Sequence, residues 1–236
     1  MENLRQDLET LCLVQDYDIK IVKAKEIIRN APHLAALKKK ELDAKKAETE
    51  VQKKNFVALN SAKKEKEALL DSKEKAIGKH SSELNSAKSN DIYKTLLLAI
   101  EKEKADISII EDEVLELLTK IDAEAVVVKS AEAALKEFEQ KISEEIFKIN
   151  ASAKEQEEAV ETFKTERDRR KAGVSKNILD QYERICEGRD GMGIALVEAD
   201  SCGGCSMTLR PQLVNQAQKS TEIVYCDNCS RILFKK

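Results

Sequence analysis

Two pairs of cysteines, Cys202-Gly203-Gly204-Cys205 and Cys226-Asp227-Asn228-Cys229, stand twenty residues apart near the end of the chain. Thiolates at this spacing are the donors of a tetrahedral zinc site: each C-x-x-C turn aims two sulfurs at one ion, and two turns complete the sphere. Gly203, Gly204 or Asn228 is expected to take the positive φ that such turns need. A redox pair would need one exposed C-x-x-C at a helix N-terminus in a βαβ setting, which neither pair has. Four thiolates leave no position for water or substrate, so the single zinc is expected to be structural. Cys12 and Cys186 stand alone and read as packed thiols, because a free cysteine behaves as a small hydrophobe. His33 and His80 read as helix-surface or turn residues. No phosphate-binding glycine loop and no other active-site constellation is visible, so the chain reads as a non-enzyme.

The elements that must position these cysteines are long helices. The 236 residues are 36% charged and 4% aromatic, with 7 Gly, 2 Pro and no Trp, which leaves little material for a broad aromatic core. No proline lies between Pro32 and Pro211, and no glycine between Gly78 and Gly173. Counting sevens from Tyr93 gives Ile100, Ile107, Val114, Ile121, Val128, Leu135, Ile142, Ile149, Gln156 and Phe163, a coiled-coil seam with one strong edge. The earlier arm reads Leu37, Ala44, Val51, Ala58 and Glu65, with Leu34, Ala62, Leu69 and Ala76 on companion positions. Pro32 predicts a kink or short break. Ser81 to Asp91 is rich in capping and turn residues, so the two arms are expected to fold back as an antiparallel hairpin, with its turn near 83–90. The rival arrangement is an intermolecular coiled coil in which that cluster is a frayed interruption.

The expected class is mainly α: a helical hairpin over 1–171, a connecting segment with a short helix over 172–190, and a small β zinc ribbon over 191–236. Basic Arg170-Lys171 followed by Gly173 suits a helix end, and a short amphipathic helix is expected at about Lys176 to Cys186. Ile194, Leu196 and Val197 read as a strand, and small apolar strands are expected around Leu209, Ile223-Val224-Tyr225 and Ile232-Leu233-Phe234. Lys+Arg 41 against Asp+Glu 44 gives net charge -3, so any nucleic-acid contact must be local. The ribbon is not basic, with six Arg/Lys and five Asp/Glu from Gly188 to Lys236. The one basic cluster is Lys164, Arg167, Arg169, Arg170, Lys171 and Lys176, which reads either as an anion-binding site or as a solvated helix end complemented by its dipole. The N-terminus lacks the pattern of a secretory signal and no apolar run could span a bilayer, so a cytoplasmic protein without membrane contact is expected. The unequal apolar arms predict docking of a partner protein or of a second copy as a homodimer.

The closing run Cys202-x-x-Cys205, Leu209, Gln212, Ile223, Cys226-x-x-Cys229 and Arg231-Ile232-Leu233-Phe234 resembles the signature of the bacterial C4-type zinc-ribbon coiled-coil hairpin family, FlgZ-like and RpoN-interacting. Asp91-Ile92-Tyr93 and Ile110-Glu111-Asp112-Glu113 resemble the family's second helix, from which Leu97-Leu98 and Ile100 depart. The resemblance covers nearly the whole chain. It implies an adaptor or chaperone that binds the sigma factor RpoN, and in some relatives a flagellar transcript or type III export components, and so serves transcription regulation or type III secretion. A zinc-ribbon RNA- or nucleic-acid-binding regulator is the alternative.

Overall fold

A computed structural model describes residues 2–235. Helix α1 runs Glu2–Asn85 and α2 runs Asn90–Lys171; α3 (Lys176–Glu187), β1 (Ile194–Glu198), β2 (Ser201–Cys202), α4 (Pro211–Lys219), β3 (Val224–Tyr225) and β4 (Ile232–Phe234) follow. The long helices pack against each other within one chain, as an antiparallel hairpin. Ser86 closes the end of α1, its hydroxyl donating to the Glu83 carbonyl at 3.0 Å and its amide to the same carbonyl at 3.1 Å. The carbonyl of Ser89 accepts the Tyr93 amide at 3.0 Å and opens α2. Arg169, Arg170 and Lys171 end α2 where the helix dipole favours cations.

The chain divides into two units, Lys38–Glu144 and Met1–Leu37 with Glu145–Lys236. In the first, α2 buries the expected stripe: Ile100, Ile110 and Ile121 are buried, with Ile107, Val114, Leu117 and Val128 half-buried between them. The stripe on α1 differs from the expected one. Leu42, Thr49, Phe56, Leu59, Leu70, Ile77 and Leu84 turn inward, whereas Val51 and Leu69 are exposed. The inward stripe also carries Lys45, Lys63, Lys66 and Lys73, half-buried. These lysines hid the seam from an apolar count, yet a long stem covers apolar surface while its ammonium meets an acid. Lys66 pairs with Glu113 at 2.5 Å, and Lys73 with Glu103 at 2.7 Å and Asp106 at 2.8 Å. Lys46–Glu139 and Lys53–Glu132 line the opposite edge. Positions rise along α1 as their partners fall along α2, so these pairs fix an antiparallel register.

In the second unit, Pro32 lies inside α1 without ending it. The expected break does not form: Pro32 is exposed, so its missing donor falls on the solvent side, while neighbouring Ala31 is 4% exposed on the packed side. Ile21, Ala24 and Val160 form a small core with Ile28 and Phe163, and the Tyr17 and Phe163 rings meet at 6.3 Å. The four strands form one sheet in the order β2-β1-β4-β3, with β1 parallel to β4 and the other pairs antiparallel. Strand alternation gives this sheet two apolar faces. Ala195, Val197, Val224 and Leu233 pack with the cysteines and α4. Ile194, Ile232 and Phe234 pack with Leu8, Leu11 and Val14 of α1 and with Tyr182 of α3. The ribbon thus shares a core with the first turns of α1.

Polar contacts lock that second face. The Gln15 amide donates to the Ile194 carbonyl at 2.9 Å and accepts the Ile194 amide at 2.7 Å, meeting both needs of one strand residue. Asp18 accepts from the Tyr182 hydroxyl at 2.8 Å and from Arg167 Nε at 2.5 Å, and Arg167 Nη2 donates to Glu183 at 2.9 Å. Tyr182 is fully buried, and burial pushes its hydroxyl pKa far up, so it stays a neutral donor. Gly193 must lack a side chain, because a Cβ there would lie 2.6 Å from the Tyr182 ring.

In the unit Lys38–Glu144, hydrogen bonds from Lys73 hold the Asp106 carboxyl below its ordinary value of 3.8, and those bonds raise Lys73 in turn. A depressed carboxyl pKa contributes stability above 3.8 that is lost as pH falls through the folded value. Lys73→Met is therefore expected to lower the melting temperature at neutral pH, where Glu103 and Asp106 lose their partner. The gap to wild type should close as the Asp106 carboxyl protonates in acid. Melts followed by circular dichroism at both pH values check this; equal melting at neutral pH would contradict it.

Candidate metal centre

The metal centre is built from two turns of matching geometry. In the first, the Ser206 amide donates to the Cys202 carbonyl at 2.7 Å and the Cys202 amide to the Met207 carbonyl at 2.9 Å. In the second, Ser230 donates to Cys226 at 2.8 Å and Cys226 to the Arg231 carbonyl at 2.9 Å. The positive φ lies one residue past each pair, at Ser206 (60°) and Ser230 (59°), not at Gly203, Gly204 or Asn228. A left-handed residue after the second cysteine reverses the chain and leaves the two residues between the sulfurs in ordinary conformations. The glycines serve close approach instead. A Cβ on Gly203 would lie 2.7 Å from the Leu196 carbonyl oxygen, and one on Gly204 would lie 2.7 Å from the Arg231 side chain.

β2 delivers Cys202 to the centre, and the turn before β4 delivers Cys226 and Cys229. The four Sγ atoms lie within 4.8 Å of one another, with Cys202–Cys229 and Cys205–Cys226 at 3.8 Å. A tetrahedron with zinc–sulfur bonds of about 2.3 Å has edges of about 3.8 Å, so the sulfurs are spaced for zinc and not for a disulfide, whose sulfurs sit about 2.05 Å apart. Cys202, Cys226 and Cys229 are buried. Burial pushes the Cys202 thiol up to about 12 and raises Cys226, whereas the Asn228 side chain and the Met207 amide bring Cys205 down to about 6. One thiolate is held by hydrogen bonds, and a full set of ionised sulfurs in an apolar core needs a divalent cation. The residues fit: the four cysteines form a C4 zinc ribbon holding one structural zinc, whose chemistry is to cross-link the two turns.

Arg231 ties this centre to the rest of the ribbon, its Nε donating to the Met192 carbonyl and its Nη1 to the Gly204 carbonyl, both at 3.0 Å. Between the two turns lies α4, where a strand near Leu209 was expected. Only Thr208 bridges Ser201; Pro211 then takes the first helical position, and Val214 and Ala217 are buried. Pro211 at the head of a run with apolar Leu213, Val214 and Ala217 was the available signal for this helix.

The basic cluster is largely engaged within the chain. Arg167 is paired with Asp18 and Glu183, which hold it above its ordinary value against the cost of burial. Lys171 meets Asp168 at 3.1 Å and Glu183 at 3.6 Å, Lys164 meets Glu161 at 2.7 Å, and Arg169 meets Glu166 at 3.8 Å. Arg170 stacks on the Tyr17 ring at 5.4 Å, and Lys176 is exposed at the start of α3. Gln15, Asp18 and Tyr182 escape a sequence reading, since a single polar residue on a long charged helix carries no signal of what it will meet. Cys12 and Cys186 sit half-buried against the core of Tyr182 and Phe234, and burial lifts the Cys186 thiol to about 11.

With this geometry, the class is a helical hairpin carrying a C4 zinc ribbon. Residues 201–233 match the family described as the C4-type zinc ribbon domain. The fold is similar to that of CT398 from Chlamydia trachomatis, with TM-score 0.81 and 19% identity over 100% of both chains. It is also similar to a structurally characterised protein from Mycobacterium smegmatis (TM-score 0.64, 18% identity, 97% of both chains) and to HP0958 from Helicobacter pylori (0.56, 18%, 98% of both). At these identities the likeness is one of fold. No curated protein sequence matches the chain.

Purified protein is expected to carry one zinc per chain, and Cys202→Ser with Cys226→Ser to lose it. Elemental analysis reads the outcome. Full zinc retention in the double variant would place the metal elsewhere.

Proposed function

We propose that the chain is a non-enzymatic, cytoplasmic adaptor or chaperone-like protein whose helices bind partner proteins. The observation that carries this reading is an apolar groove in the unit Met1–Leu37 with Glu145–Lys236. Ile27, Ala31, Leu34 and Ile149 line it, Lys23, Glu26 and Lys148 edge it, and its volume is about 650 Å³. Ile27 and Leu34 are 45% and 48% exposed, a cost that a helix surface bears where another apolar surface covers it. The zinc adds to this reading, since four thiolates close its sphere to substrate. Among the described residues no helix is long and apolar enough to cross a membrane.

By the family resemblance, the partner class is the sigma factor RpoN, with type III or flagellar export components as further candidates. The nucleic-acid alternative draws less support, because phosphate affinity scales with available cations and Arg167 and Lys171 are committed to acids of this chain.

Ile27→Glu with Leu34→Glu in the full chain is expected to abolish capture of an RpoN-class sigma factor from native extract, while nuclease leaves wild-type capture intact. Mass spectrometry of the captured proteins reads this. Capture that survives the double variant, or that disappears with nuclease, would contradict the proposal.

A further inference from the structure

The apolar groove that carries the adaptor reading does not end at Ile27. Leu34, Ile27, Lys20 and Leu13 recur every seven residues along α1, and Ile149, Gln156, Phe163 and Arg170 do so along α2. Contacts at both ends show that these stripes run side by side. Ile27 and Leu34 line the groove with Ile149, and one heptad beyond Ile27 the Lys20 ammonium lies 5.7 Å from the centroid of the Phe163 ring. All of these residues belong to the unit Met1–Leu37 with Glu145–Lys236. The track therefore passes from apolar side chains to an aromatic pair that carries two cations. Lys20 sits 5.2 Å and Arg170 5.4 Å from the centroid of the Tyr17 ring.

Those two cations have no counterion. Among the described residues neither has an acid within 4 Å, and the Arg170 Nε is buried without an acceptor. The acids closest to them in sequence on this side, Asp16 and Glu166, do not reach them, and Glu166 meets Arg169 at 3.8 Å. Arg167, Lys171 and Lys164, by contrast, are each paired with an acid of the chain. A ring face positions a cation without neutralising it, and an unpaired guanidinium donor is a cost that a carboxylate removes.

Charge and spacing together select the occupant. We propose that the track binds an amphipathic helix of a partner protein, its apolar residues on Ile27, Leu34 and Ile149 and its carboxylates on Lys20 and Arg170. Lys20 lies about 10 Å beyond Ile27 along α1, so the carboxylates stand about two turns from the apolar anchors. A helix laid in a groove presents its anchors at this kind of spacing, whereas a phosphate backbone would leave the apolar end uncovered. The inference rests on the adaptor reading and adds to it the chemistry of the segment bound.

Fluorescence anisotropy on the full chain tests this with three synthetic amphipathic peptides. They share leucines at i, i+3 and i+7 and differ only in the following two turns, which carry Glu, Gln or Lys on the same face. Wild type is expected to bind the Glu peptide about tenfold more tightly than the Gln peptide, and the Lys peptide most weakly, with the gaps narrowing in high salt. Lys20→Gln with Arg170→Gln should bind the Glu and Gln peptides alike, while circular dichroism stays that of wild type. Ile27→Glu with Leu34→Glu should bind none of the three. A wild type that binds the Glu and Lys peptides equally, or binds no peptide, overturns the proposal however the variants fold. A preference for Glu that survives in the Lys20/Arg170 variant overturns it too, as does an RNA oligonucleotide held through these cations that the Glu peptide cannot displace. Sigma-factor capture that the Ile27/Leu34 variant loses and the Lys20/Arg170 variant keeps in full would overturn the acidic helix alone and leave the adaptor reading standing.

Discussion

Thiolates buried in an apolar core need a cation, and the ribbon is organised around that need. Burial resists ionisation of Cys202 and Cys226, yet zinc takes sulfur as thiolate. The ion therefore joins two short turns that the Arg231 side chain also bridges: β2 and β3 are two residues each, and Ser206 and Ser230 sit in a left-handed conformation that L-residues adopt at a cost of about 1–2 kcal/mol. With the turns joined, one face of the sheet is covered by the cysteines, Leu209 and α4. A sheet this small, covered on one side only, would still expose Ile194, Ile232 and Phe234, and the first turns of α1 supply the other cover. Metal, sheet and the beginning of the chain thus form one stack. The amide of Gln15 and the bonds among Asp18, Tyr182 and Arg167 hold its layers in place.

The hairpin relies on a different balance. Its α1 stripe alternates apolar residues with lysines, so hydrophobic burial is thinner than in an all-apolar coiled coil, and exposed ion pairs contribute modestly. What the lysines add is register: Lys66 and Lys73 reach acids only in one antiparallel alignment. The price of that arrangement is an apolar surplus left facing outward at Val51 and Leu69.

How much of this was legible in the sequence follows from the kind of signal each part leaves. The cysteine spacing announces the zinc ligands because coordination demands particular residues at particular intervals. The seam of α2 was legible because Ile100, Ile107, Val114, Ile121 and Ile142 are apolar at every seventh position. The seam of α1 was not, because Lys45, Lys66 and Lys73 lie in it while Ala44, Val51 and Ala58 form a purer stripe on another face. Pro32 suggested a break that packing of its neighbour Ala31 overrides. Helix α4 is short, and the apolar Leu209 just before it read as strand. The contacts of α1 with the sheet and with α3 could not be read at all, since they join residues far apart in the chain through Gln15 and Asp18, which resemble any other polar positions on a helix.

Hydrogen exchange on the intact chain, with zinc bound and after chelation, bears most directly on the metal–sheet–helix stack. If zinc holds the sheet against α1, removing it should raise exchange in the strands and also in α1 around Leu8, Leu11, Val14 and Asp18, while the amides of residues 42–84 keep their protection. Loss of protection confined to the cysteine turns, with the first turns of α1 unchanged, would contradict the account.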